Sequence, residues 1–152
     1  MSGAPIVTMS EGRHQAREVA LQVLYAIDLS DAWADPDAEP ATHYAFDRVT
    51  ENFEVPESAI AFARELVIAV VERTSALDEI LGLHARNWRV SRMAAVDRNI
   101  LRLAVYELRD TQTPVAVVID EAVDLARRFG ADSSPSFVNG ILDAVAREVR
   151  AA

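Results

Sequence analysis

Neither cysteine nor lysine occurs anywhere in the 152-residue chain. The first absence removes disulfides, thiolate zinc sites and cysteine nucleophiles. The second removes a lysine P-loop, a Schiff base and a lysine general base. Glycine is scarce, five residues isolated from one another, so no glycine-rich loop is available to cradle a phosphate. The histidines His14, His43 and His84 fall on separate segments without an i, i+4 pair, which argues against a histidine metal site. Long apolar runs are missing as well: none approaches a membrane span, and the opening MSGAPIVTMSEGR lacks the charged-then-apolar order of a signal peptide. A cytoplasmic protein with no membrane contact, metal or cofactor is the expectation. No repeat or low-complexity tract stands out.

What is present is 51% hydrophobic and 26% charged residues, enough to bury a core in one ordinary domain or two small halves. The net charge is −9, and all fifteen basic residues are arginine. That total excludes a uniform basic coat, but the charge is unevenly spread. Residues 1–26 balance, with Glu11 and Glu18 against Arg13 and Arg17. Residues 27–60 set nine acids against Arg48, whereas residues 86–109 carry six arginines against Asp97 and Glu107. A neutral arm and a basic stretch therefore lie within an acidic chain.

Apolar spacing reads as helix almost throughout, about seven helices in an all-α bundle. The first helix is expected from about His14 to Leu29, with Ala16, Val19, Ala20, Val23, Leu24 and Ile27 on one stripe. An acidic, proline-punctuated loop (Ser30 to Pro40) precedes a short helix with Tyr44, Val49 and Phe53. Pro56 opens a third helix with Ile60, Ala63, Leu66, Val67, Val70 and Val71 inward and Phe62 on the flank, continuing past Thr74 toward Leu81. Ser91 is read as the cap of a helix running to Leu108. Thr113, followed by Pro114, is read as the cap of the next, which ends at Gly130, and Ser134-Pro135 opens the last. Val115 to Ile119 is the one strand-like run; it has no partner strand and flows into a helical period, so it is read as helix.

Catalytic constellations are thin, and no enzyme is expected. Asp120 and Asp124 share a helical face, but acids near a helix start are favoured there without any chemistry. Ser133, Ser134 and Ser136 have no adjacent histidine and read as capping residues. The helix from Ser91 to Leu108 is more informative, because Arg98, Arg102 and Arg109 fall within about 40° of each other at about 100° per residue. Two readings of this ridge stay open: a solvated face paired to the acidic loop, or a docking surface for RNA or protein. Glu107 lies on the inner side and needs a partner. Gly140 inside the last helix is about 1 kcal/mol less favourable there than alanine, which points to a close helix–helix approach. Phe137 and Tyr25 each read either as core or as an aromatic for an unstacked base.

The segments RHQAREVALQVLY (13–25), AVDRNILRLAVYEL (95–108) and PVAVVIDEAVDLARRFGADSSPSFVNGIL (114–142) together resemble the NusB family of bacterial transcription antitermination factors. The combination of VDRxILRxAxYEL with FVNGxL carries the likeness. It implies a single NusB-like domain of two perpendicular three-helix subdomains, about 13–73 and about 74–152. It also implies a heterodimer with ribosomal protein NusE that binds single-stranded boxA RNA and joins RNA polymerase with other Nus factors. The family includes homodimers in which the RNA surface is occluded.

Residue by residue, the likeness places RNA contacts at Arg13, His14 and Arg17 and again at Ser134, Ser136 and Phe137. It places NusE contacts at Tyr25 and Asp97, flanked by Arg98 and Arg102. His14 and Gln15 stand where the family often has further arginines, which thins the phosphate clamp, and Ser133 replaces an acid found in some relatives. The alternative is a helical protein-interaction module using the ridge of residues 97–109, or a homodimer, without direct RNA binding.

Overall fold

The stripe Ala16, Val19, Ala20, Val23, Leu24 and Ile27 is the fully buried face of α1, Met9–Leu29. The computed structural model describes residues 9–30, 38–51, 54–85 and 89–150. Phe53, residues 31–37 of the acidic loop and Arg86 of the basic stretch lie outside them. Helix α1 starts five residues before the expected His14, since MSEGR is also helical. Helix α2, Ala38–Thr50, likewise starts before Pro40. A proline in the first turn removes an N–H that has no intrahelical acceptor, so the helix passes through it.

Helix α3, Glu57–His84, runs unbroken through Thr74, whose Oγ1 donates to the Val70 and Val71 carbonyls at 2.9 and 3.1 Å and so stays inside the helix. After a 3-10 turn at Val90–Arg92 come α4 (Ala95–Asp110), α5 (Val115–Phe129) and α6 (Ser134–Val149). The described residues thus hold six α-helices and no strand, against the expected seven or so. Val115 to Ile119 is helical as read. Ser91 does not cap α4: it sits in the 3-10 turn, and Ala94 takes the N-cap position with no side-chain cap; nor does Thr113 cap α5, whose N-cap position is Pro114, again with no side-chain cap. None of the described helices is long and apolar enough to cross a membrane.

The chain divides into two compact units, Met1–Ile68 and Ala69–Ala152, with the boundary inside α3. In the first, α1 packs on α2, and Phe46 is buried under the Arg64 guanidinium, 4.3 Å from the ring centroid. In the second, α4, α5 and α6 pack pairwise on one another. Ile100, Leu101, Leu103, Val105 and Leu108 of α4, Val118 and Leu125 of α5, and Val138, Leu142 and Val145 of α6 are all buried.

Two side chains close this second unit. Arg150, just past α6, donates to the carbonyls of Leu108, Glu107, Thr111 and Thr113 at 2.6 to 3.2 Å. These include carbonyls left without N–H partners at the end of α4. At the other end, Arg98 Nη1 reaches the carbonyls of Val90, Ser91 and Met93 at 3.1 to 3.4 Å and ties the 3-10 turn to α4. Glu107 is buried as expected, at 2% exposure.

Gly130 ends α5 as expected, with an ordinary φ of −93°. What requires glycine is space: a Cβ there would lie 2.6 Å from Ser134 Cβ and 2.8 Å from the Ala126 carbonyl oxygen. Gly140, expected at a close helix contact, is exposed, and a methyl carbon added there would have nothing within 4 Å, so that expectation is corrected.

Candidate nucleic-acid and partner interface

In the first unit the arm is the start of α1, where Arg13 and Arg17 are one turn apart on the same face. Both guanidiniums lie over the ring of Phe62 from α3, at 5.4 and 5.9 Å from its centroid. Their exposures differ sharply: Arg13 is exposed, while Arg17 is 3% exposed. The three residues expected to meet phosphate are therefore not equally accessible. Arg13 is at the surface, His14 is half-buried, and Arg17 is a buried side chain inside the unit. Tyr25 is 37% exposed, but about 18 Å further along the same helix at 1.5 Å per residue, too far to share a patch with Arg13.

In the second unit the starts of α4 and α6 flank an open recess of about 480 Å³ lined by Met93, Ala94, Asp97, Ala131, Ser133, Ser136 and Phe137. Asp97, read as a partner contact, and Ser136 and Phe137, read as RNA contacts, thus share one recess. Asp97 Oδ1 is buried there without a hydrogen-bond partner. A carboxylate in the first turn of α4 is favoured by the helix dipole, yet an unsatisfied oxygen remains a demand for a donor. Ser136 also borders a second depression of about 530 Å³ with Asp120, Val123, Arg127, Pro135 and Asn139. Its hydroxyl is exposed and donates to the Ser133 carbonyl at 3.3 Å.

Two expected contacts need correction. Ser134 is 1% exposed, and its Oγ accepts the Ala131 N–H at 2.9 Å. It closes the loop between α5 and α6 and presents nothing to RNA. Arg102 is 6% exposed and grips Asp78 of α3 with Nε and Nη2, both at 2.8 Å. Asp78 of α3 covers the ridge side of α4 at Arg102, so this arginine holds the fold and the three arginines form no continuous exposed ridge. Arg98 is half-buried and engaged with the 3-10 turn, which leaves Arg109 as the exposed arginine of the three.

Sequence reasoning missed Phe62 and Arg150. Phe62 had a faint signal, as an aromatic on the flank of an aliphatic stripe. Arg150 had none, because its acceptors are about forty residues away on another helix end. No group of three or more histidine, aspartate or glutamate side chains among the described residues is arranged to hold a metal ion.

The model of the NusB family matches residues 14–147 of the chain. Transcription antitermination protein NusB of Anaeromyxobacter dehalogenans is 45% identical over 139 residues, covering 91% of this chain and 92% of its own. The protein of the same name from Solibacter usitatus is 46% identical over 137 residues, covering 90% of each. Among solved structures, T. maritima NusB aligns with a TM-score of 0.75 at 33% identity, over 90% of this chain and 91% of that one. A chain from the crystal structure of antitermination factors NusB and NusE in complex with dsRNA aligns with a TM-score of 0.77 at 30% identity, over 93% and 99%.

Proposed function

The chain belongs to the NusB family, and from that premise we propose that it is a non-enzymatic transcription antitermination factor that pairs with NusE and captures boxA RNA. The heterodimer then joins RNA polymerase with the other Nus factors. The observation that carries this reading is the recess between α4 and α6, which Asp97, with one buried and unpartnered oxygen, and Phe137 line together. Asp97 supplies a fixed negative charge for a donor from the protein partner. Phe137 supplies a ring for an unstacked base, and Ser136 a hydroxyl for a base edge or phosphate. Arg13 supplies the exposed cation for the backbone.

The relative solved with NusE holds a duplex RNA, so strand preference is part of the test. Labelled boxA strand and its duplex are titrated with the protein alone and with NusE. Tighter capture of the single strand in the presence of NusE is the expected result. Equal, negligible binding with and without NusE overturns the reading. The alternative of a module that docks protein through an arginine ridge at 97–109 loses its support with Arg102 buried on Asp78.

A further inference from the structure

Two like charges one turn apart on a helix repel each other, and Arg13 and Arg17 are such a pair. The structure places a single aromatic ring beside both. The Phe62 ring lies 5.4 Å from the Arg13 guanidinium carbon and 5.9 Å from that of Arg17. The negative face of the ring attracts each cation and offsets the repulsion between them. Phe62 is half-buried on α3, a helix fixed through the buried Ala59, Ala63 and Leu66, so the ring is a stable platform. Arg17 is enclosed on that platform while Arg13 stays exposed.

We infer that Phe62 is the positioning residue of the RNA-binding arm. Its ring, anchored by Arg17, holds the Arg13 guanidinium in place at the surface, so that an RNA phosphate meets a cation already ordered. This inference rests on the proposed RNA-binding function and adds a residue to it. A free arginine loses its rotamer freedom when it grips a phosphate; one held on a ring has lost much of it beforehand. The arm has one exposed arginine where the family often has a denser run, so ordering that residue matters more here. Phe62 does not touch RNA. It acts through Arg13.

The test is a double-mutant cycle on the full chain with NusE present, read by the affinity for a fluorescein-labelled boxA strand. Phe62→Leu keeps an apolar side chain and removes the ring; Phe62→Tyr keeps the ring. On the scale of one or two exposed cation–π contacts, Phe62→Leu is expected to weaken binding roughly three- to tenfold, with Phe62→Tyr near wild type. On an Arg13→Ala background, Phe62→Leu should have little further effect. Circular dichroism melts identify variants whose loss is one of folding, and the tyrosine variant keeps the test valid if the leucine variant is unstable. Binding by Phe62→Leu at the wild-type level, while Arg13→Ala is weakened, overturns the positioning role and leaves the RNA reading intact. An equal loss from Phe62→Leu with and without Arg13 also overturns it. No loss from Arg13→Ala itself overturns the arm as an RNA contact and this inference with it.

Discussion

Arg102 illustrates how a side chain's surroundings decide what it does. Its guanidinium fork meets both carboxylate oxygens of Asp78 at 2.8 Å, with 8% of the arginine side chain and 29% of the aspartate exposed. Arg102→Ala leaves Asp78 without its partner, though that carboxylate reaches water and recovers part of the loss. The expected cost is about 2–3 kcal/mol, below the range for a fully buried pair. Arg102→Lys should recover only part, because an ammonium cannot match the planar fork. Urea unfolding measures both, and NusE affinity of the folded fraction should be unchanged. A variant of wild-type stability with lost NusE binding overturns the structural role. The glycines give a paired prediction at the same scale. Gly130→Ala drives a methyl into Ser134 and the Ala126 carbonyl and should destabilise by about 1–3 kcal/mol, whereas Gly140→Ala enters open space on a helix and should stabilise by about 0.5–1 kcal/mol. Thermal melts of opposite sign are the check; matching signs contradict the spatial account.

At the level of elements, helix ends carry much of what holds the second unit together. Four carbonyls at and beyond the end of α4 accept from Arg150. Arg150→Ala should cost about 1.5–3 kcal/mol, the range for hydrogen bonds to a charged group, read as a lower urea midpoint. An unchanged midpoint means that water replaces the arginine there at no loss. These ends also show where sequence reading works and where it stops. The stripe of α1 and the inward faces of α4 and α6 were legible because burial follows a period of 3.6 residues, and that period needs only local sequence. Asp97, Ser136 and Phe137 were reachable through family likeness, and their meeting in one recess was not. The ridge failed for a related reason: a helical wheel gives the angle of Arg102 but not that α3 lies against it with Asp78. Ser134 failed because hydroxyls at a helix start look alike in sequence whether they cap, close a loop or face solvent.

For the molecule as a whole, −9 of net charge and RNA capture coexist only if local cations do the binding and a partner completes it. The acids are concentrated in residues 27–60, while Arg13 stands exposed on α1. Salt dependence separates a cation that meets phosphate from one that supports the fold. Each phosphate contact on a single strand contributes about −0.7 to the slope of log K against log salt. Arg13→Ala should therefore make the slope shallower by about 0.7, with little change in stability. Arg17, 3% exposed, has no comparable access to phosphate. Arg17→Ala should lower the melting temperature and leave the slope of the folded protein near the wild-type value. The measurement is boxA affinity with NusE at four or more salt concentrations for each variant, alongside a melt. If the two substitutions flatten the slope equally, Arg17 meets RNA in the complex, and the burial that distinguishes the two arginines does not govern the arm.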